Sequence, residues 1–300
     1  VTYIGRFAPS PTGLLHFGSL LAATASYLQA RSQHGQWLLR IEDLDKPREQ
    51  AGAADAIIQT LAAYGFEWDQ PIVYQSQRLA AYTEALQTLS PHIYACSCSR
   101  KSLQLNHTRT GNFGLIYSGT CRAKNLALST DAAIRLTVAD QLICFNDQIQ
   151  GTFCQNLAQD LGDFVIRRAD RIFAYQLAVV VDDAWQNVTE IVRGSDLLDN
   201  TPRQIYLQNL LGYSMPKHAH IPIIINDLGQ KLSKQTLAPA LSTDTSYLIT
   251  NLCKALNCLG QTSIHQLSFS SIQEFWDWAI VNWDINKVPK QLAYHQAIST

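Results

Sequence analysis

The chain has 300 residues, 47% of them hydrophobic and 16% charged; that suits a water-soluble globular protein of about two domains with a substantial buried core. No apolar run approaches the roughly 18 residues of a membrane span, and the first residues read at once as a strand, so neither a membrane segment nor a secretory signal is expected. A formal net charge of −1 argues against a wholesale polycation, so any nucleic-acid contact must rest on local basic clusters.

The stretch Tyr3–Phe7 is β-prone; Pro9, Pro11 and Gly13 then force a loop, and Leu21, Ala25 and Leu28 share one face of a helix beyond it. Strand, Gly/Pro loop and helix N-terminus together make an anion site, where free N–H groups and the positive dipole end face the ligand. His16 is placed to donate to phosphate, and Gly18 leaves room for a flat base against the backbone. Taken alone, this is also what any strand-loop-helix with a His and a few Gly looks like. Trp37–Ile41 reads as a buried strand that completes a βαβ unit, which implies an α/β fold with a doubly wound parallel sheet. Ligands of such sheets bind outside the carboxyl ends of the strands, where Glu42, Asp43 and Asp45 follow. Asp45, before Lys46 and Pro47, reads as a helix cap; Glu42 is less easily explained that way. Two packing helices follow, one carrying Ile57, Leu61 and Tyr64, the other Leu79, Tyr82, Leu86 and Leu89.

From residue 91 the texture changes. Cys96, Cys98 and Cys121 are three thiolates of a tetrahedral zinc site, with His107 and Tyr117 inside the span and no obvious fourth ligand; the alternative is three buried cysteines acting as small hydrophobes. The seven cysteines are an odd count without secretory features, which favours reduced thiols or metal over disulfides and a cytoplasmic location. Cys144, Cys154, Cys253 and Cys258 show no metal spacing and read as core. Residues 133–138, 142–145 and 164–167 read as antiparallel strands with turns at Asn146-Asp147 and Ala169-Asp170, an insertion in a parallel fold. Basic clusters lie nearby at Arg100 and Lys101, at Arg109, at Arg122 and Lys124, and at Arg167, Arg168 and Arg171; each reads equally as solvated surface. Residues 172–183 return to the core, a strand ends at Arg193-Gly194, Thr201-Pro202 opens a helix to about Leu211, and 220–225 is a further buried strand. Lys231-Leu232-Ser233-Lys234 after it would be a surface loop in most proteins. An amphipathic helix over 247–259 and a second one, opened by a Ser271/Glu274 capping box, end the chain.

Several of these segments together carry a resemblance. Arg6-Phe7-Ala8-Pro9-Ser10-Pro11-Thr12-Gly13, then Leu15-His16-Phe17-Gly18, resembles the first signature motif of class I aminoacyl-tRNA synthetases in its glutamyl and glutaminyl form, with Ser19 where the general motif has a second His. Arg40-Ile41-Glu42-Asp43-Leu44-Asp45 matches the glutamyl pattern. Residues 231–235 stand where the class has its mobile Lys-Met-Ser-Lys-Ser loop, with Leu232 and Gln235 departing from it. Cys-x-Cys followed by Tyr-x-x-x-Cys resembles the zinc site of a short glutamyl-synthetase paralogue, in which Cys96, Cys98, Tyr117 and Cys121 would be the ligands. The resemblance implies a Rossmann-type catalytic core in two halves, 1–90 and 172–238. It implies a zinc-bearing α+β insertion over 91–171 that grips tRNA, and a small helical stem-contact piece over 239–300, too short for an anticodon-binding module.

Glutamate offers two carboxylates and an ammonium, so its pocket needs two cations and an anion. Arg6, Arg193 and Glu42 supply that set, since the planar guanidinium binds carboxylate bidentately; the alternative is that they are structural ion pairs. Tyr175 could add a phenolic hydrogen bond. The resemblance brings Phe7, Ala8, Pro9 and Ser10 to the same site, and Val179 stands where discriminating synthetases often carry a polar residue. ATP with Mg²⁺ falls to His16, Gly18, Ser19, Lys231, Ser233 and Lys234, of which His16, Lys231 and Lys234 are the catalytic candidates. The implied reaction is tRNA-independent formation of glutamyl-adenylate, then transfer of glutamate to the queuosine base in the anticodon loop of tRNA(Asp), by a cytoplasmic monomer holding one structural Zn²⁺. Three rivals stay open: a truncated glutamyl-tRNA synthetase charging tRNA(Glu), a small-molecule nucleotidyltransferase sharing the first motif, and a catalytically silent binding module.

Overall fold

A computed structural model describes residues 2–99, 102, 110–111, 114–128, 131–225, 239–261 and 267–295. Strand β1 (Ile4–Phe7) runs parallel to β2 (Gln36–Ile41), and β2 to the short β3 (Val73–Tyr74). Helix α1 (Phe17–Ser32) is the crossover. It is buried on two sides: Leu20, Ala23, Tyr27 and Leu28 pack with Trp37, Leu39 and Ile57, while Leu21 and Ala25 pack with Val192, Ala219 and Ile221. Helices α2 (Ala53–Ala63) and α3 (Leu79–Thr88) follow, with Ile57, Leu61, Tyr82 and Leu86 buried as their spacing implies.

Strand β4 (Ile93–Cys96), the small pair β5 (Thr110–Gly111) and β6 (Gly114–Leu115), then β7 (Ala133–Leu136), β8 (Leu142–Asp147), β9 (Gly151–Asn156), the one-turn α4 (Leu157–Asp160) and β10 (Phe164–Arg167) come next. Here β10, β7 and β4 form an antiparallel sheet. The second set of parallel elements is α5 (Tyr175–Trp185), β11 (Glu190–Gly194), α6 (Thr201–Leu211) and β12 (Lys217–Ile221). Strand β8 joins β12 through a parallel bridge at Asp147 and His218, so the second sheet has the order β11-β12-β8-β9. The two parallel sheets meet where Thr189 N donates to Ile4 O at 2.9 Å. The strand order therefore reverses between β1 and β11, the place where a doubly wound sheet opens a crevice.

Two expectations change in the β8–β9 hairpin. The turn is not at Asn146-Asp147: Asp147 stays in the strand with its side chain buried, and residues 148–150 turn instead. The cause is the Asp147 carboxylate, whose Oδ1 accepts from Ile149 N at 3.0 Å and Gln150 N at 2.9 Å, an Asx-type turn. Cys144 and Cys154 are not core thiols. They face each other on the exposed side of the hairpin and form a disulfide, with Cα atoms 4.1 Å apart. Alternation along β8 buries Ile143, Phe145 and Asp147, which leaves Cys144 on the solvent face. Cys253 and Cys258 are half-buried and pack against the cores.

Helices α7 (Thr245–Cys258) and α8 (Ile272–Asn282) pack on α1. Trp276 and Phe275 enter an aromatic cluster with Tyr27, Trp37 and Phe66, edge-to-face and offset contacts that add to simple burial. Ser271 accepts from Glu274 N at 3.1 Å, while the Glu274 carboxylate accepts from Ser270 N at 2.7 Å, so the capping box closes one residue early. Beyond it, β14 (Ala293–His295) adds in parallel to β13 (Ile223–Ile225). No helix among the described residues is long and apolar enough to cross a membrane.

Candidate active site and thiol cluster

The crevice between β1 and β11 is a cavity of about 210 Å³. Arg6, Phe7 and Ala8 enter it from the end of β1, and His16, Gly18 and Ser19 from the start of α1. Glu42 comes from just beyond β2, Tyr175 from the first turn of α5, and Arg193 from the end of β11. Pro9 and Ser10 stand outside its lining; the Pro9 carbonyl accepts from Glu42 N at 3.0 Å and so fixes where Glu42 leaves the strand. Val179 packs in the core. Lys231, Leu232, Ser233, Lys234 and Gln235 lie outside the described residues, as does His107.

The floor of the cavity is a buried charge network, of which only parts were legible in the sequence. Asp183 takes Arg6 on both oxygens, at 3.2 and 3.4 Å, and Arg40 at 2.8 Å. Asp182 accepts from Arg78 Nε at 2.6 Å, Tyr82 OH at 2.7 Å and Gln75 Nε2 at 2.9 Å. Burial alone would raise the Asp183 carboxyl, yet Arg6 and Arg40 hold it below its ordinary range. Glu42 lies 3.5 Å from Arg40, and burial outweighs the pull of Arg40 and Arg6, lifting it to about 7. It is thus poised to ionise fully when a cation arrives. Two guanidinium groups (Arg6, Arg193) and two carboxylates (Glu42, Asp196) line the cavity, with Arg40, Arg78, Asp182 and Asp183 completing the network around Arg6 and Glu42, so groups of both signs meet a ligand that carries carboxylates and an ammonium. Asp182 and Asp183 had a signal in the chain: two acids directly after the apolar run Leu177–Val181 are seldom buried unless paired.

Arg193 differs from Arg6. Nε donates to His220 Nε2 at 2.9 Å, Nη2 to Thr201 Oγ1 at 2.8 Å and Leu197 O at 3.3 Å, and Nη1 to Tyr175 OH at 3.4 Å. Burial lowers the proton affinity of Arg193 and raises that of the Tyr175 phenolate. His16 caps α1, its Nδ1 accepting from Ser19 N at 3.3 Å, which leaves Nε2 as the ring nitrogen on the opposite edge.

Away from this cavity, Cys96, Cys98 and Cys121 present sulfur atoms all within 4.8 Å of one another. The Tyr117 hydroxyl completes the group, 3.3 Å from Cys96 Sγ and 3.8 Å from Cys98 Sγ, and accepts from Cys121 N at 3.1 Å. Gly162 brings Tyr117 here: at φ +75°, a Cβ on it would sit 2.4 Å from Tyr117 O, so only glycine permits the bridge between the two. Arg135 lies over the Tyr117 ring at 3.8 Å and donates to Cys96 Sγ at 3.3 Å. Burial raises the Cys98 thiol to about 11, whereas hydrogen bonds from Ser97 and Tyr117 overcome burial at Cys121 and bring it down to about 7. Three sulfurs and a phenol converging on one point beside a guanidinium form a donor set suited to a thiophilic divalent ion.

A parallel sheet whose switch point holds a His-x-Gly helix start beside a cavity lined by two arginines and two carboxylates defines the catalytic core of a class I aminoacyl-tRNA synthetase. Residues 4–294 match the family described as tRNA synthetases class I (E and Q), catalytic domain, and the chain belongs to that family. It is 52% identical to a protein named Glutamyl-Q tRNA(Asp) synthetase from Dechloromonas aromatica, over 96% of each chain. It is 49% identical to one of the same name from Pseudomonas aeruginosa, again over 96% of each. Its fold is similar to a glutamate-tRNA synthetase of Elizabethkingia anophelis, with a TM-score of 0.80 at 24% identity, covering 99% of this chain and 68% of that one. A glutamate tRNA ligase of Elizabethkingia meningosepticum in complex with its amino acid superposes with a TM-score of 0.81, covering 98% of this chain and 67% of that one.

Proposed function

We propose that this chain, as a cytoplasmic monomer, activates L-glutamate with ATP and transfers it to the queuosine base of tRNA(Asp). The observation that carries the reading is the meeting of Arg6, Glu42, Tyr175 and Arg193 in one cavity beneath His16 and Gly18. The relatives named Glutamyl-Q tRNA(Asp) synthetase, about half identical over nearly the full chain, support the acceptor.

In this reading Arg6 and Arg193 hold the two carboxylates of glutamate, and Glu42 and Tyr175 its remaining polar groups. The α-carboxylate attacks the α-phosphorus of ATP, the bond to the bridging oxygen breaks, and pyrophosphate leaves. Such a step needs positioning and charge neutralisation more than proton transfer. His16 and the N-terminus of α1 receive phosphate, and Gly18 and Ser19 border the nucleotide. Lys231, Ser233 and Lys234 attend the departing pyrophosphate, whose charge Mg²⁺ helps to neutralise. No residue of this pocket needs RNA to place it, so activation proceeds without tRNA. Transfer then joins the glutamyl carbonyl to a hydroxyl of the modified base, releasing AMP.

The test compares tRNA(Asp) with and without queuosine, beside tRNA(Glu), using labelled glutamate. Label should appear on queuosine-bearing tRNA(Asp) alone and survive removal of the 3′-terminal adenosine. Label at the 3′ end of tRNA(Glu), with none on queuosine, would instead assign the chain to ordinary glutamyl-tRNA synthesis.

We further propose one structural Zn²⁺ on Cys96, Cys98, Tyr117 and Cys121, with Arg135 offsetting the negative charge of that ligand set. Protein purified without added metal should contain one equivalent of zinc by elemental analysis. Cys98→Ser should impair glutamate transfer to tRNA more than ATP–pyrophosphate exchange, because the sulfur cluster and the cavity use different elements. Metal-free protein with all three thiols freely titratable would return them to packing.

A further inference from the structure

Resting on the glutamate-pocket reading, we propose that Asp147 and His220 are positioning residues that aim Arg193 into the pocket and leave its charge available to substrate. His220 lies on β12 and Asp147 at the end of β8, and both are buried, as is Arg193. Asp147 Oδ2 stands 2.5 Å from His220 Nδ1, while Oδ1 accepts from His220 N at 3.0 Å. The carboxylate thereby puts the ring proton on Nδ1. That leaves Nε2 as a bare acceptor, and Arg193 Nε donates to it at 2.9 Å. Thr201 Oγ1, at the start of α6, accepts from Nη2 and sets the rotation of the guanidinium plane.

The contrast with Arg6 gives this relay its meaning. Arg6 is held by a carboxylate, Asp183, on both its oxygens, which neutralises much of its charge. Among the described residues, the groups hydrogen-bonded to Arg193 are neutral (an imidazole, a threonine hydroxyl, a tyrosine hydroxyl and a main-chain carbonyl), and the acids Asp183 and Asp196 act on it through space. An acid in place of His220 would hold the side chain as well but would compete with a substrate carboxylate. A neutral imidazole holds it without competing, and Asp147 keeps the imidazole in the one tautomer that can. The Asp147 carboxylate comes from the β8–β9 hairpin, whose Gln150 also donates to His220 O at 2.8 Å. The hairpin thus braces the substrate-binding arginine from outside the βαβ units.

Two substitutions at one position separate aiming from packing. In His220→Gln, the side-chain amide oxygen stands where Nε2 was and can still accept from Arg193. In His220→Asn, the amide stands where Nδ1 was, keeps the bond to Asp147, and leaves Arg193 Nε without its acceptor. With full-length protein and ATP–pyrophosphate exchange, KM for glutamate should stay within about threefold of the parent in His220→Gln and rise on the order of 10- to 100-fold in His220→Asn. KM for ATP should be alike in both. Equal KM for glutamate in the two variants would overturn the proposal. A second measurement needs no variant to fold: ¹⁵N spectra of histidine-labelled parent protein should contain a buried ring with Nδ1 protonated and Nε2 bare, and its absence would also overturn the proposal. A parent protein whose exchange does not depend on glutamate would overturn the pocket reading instead, while the nitrogen spectrum still decides the aiming geometry.

Discussion

Glutamine should support ATP–pyrophosphate exchange about 10⁴-fold less well than glutamate, the scale on which a site of buried polar groups rejects a ligand that leaves them unpaired. The cavity presents two guanidinium groups, with Arg193 hydrogen-bonded to neutral partners and Arg6 shared with Asp183. A side-chain amide brings no charge to those guanidinium groups, and its NH₂ group points donors at donors. Aspartate should also be poor, since losing one methylene keeps it from reaching both ends of the pocket. The comparison is kcat/KM for the three amino acids at one ATP concentration. Equal values for glutamine and glutamate would mean that Arg6 and Glu42 serve only the buried ion-pair network and Arg193 only its neutral hydrogen bonds.

Lys234→Ala should slow glutamate activation by about 10²–10³-fold, the loss expected when one donor to transition-state charge is removed. Pyrophosphate leaves with several negative charges, and in the proposed reading the cavity's own arginines are committed to glutamate and to the neighbouring carboxylates. The cation for the leaving group must therefore come from elsewhere, and in sequence the Lys-Leu-Ser-Lys segment comes after the strands β12 and β13 that border the cavity. The effect belongs in kcat of exchange rather than in KM for glutamate. Near-normal exchange in the variant would remove the segment from the mechanism.

Much of the cavity could be read from the chain because its chemistry is local. Residues 6–19 hold a strand end, a loop and a helix cap in one continuous run, and α1 begins where the Gly/Pro loop stops. Glu42 and Arg193 likewise sit at strand ends, and parallel strands bring such ends to one rim whatever lies between them. The class of fold and the substrate class therefore follow from short segments with steep local preferences.

Long-range pairing was not legible in this way. Nothing in the sequence around Asp147 announces that β8 would lie beside β12 and place that carboxylate on His220, 73 residues away. The exposed disulfide of Cys144 and Cys154 depends on the register of two strands, and a slip of one residue would turn either cysteine inward. The hold of Asp183 on Arg6 and Arg40 joins α5 to β1 and β2 across the sheet. Residue type and spacing carry short-range geometry, so they settle which groups are offered at a strand end or a helix cap. Which buried charges neutralise one another, and which arginine is held by neutral groups instead of a carboxylate, is set by contacts between segments far apart in the chain, and only the folded arrangement decides them.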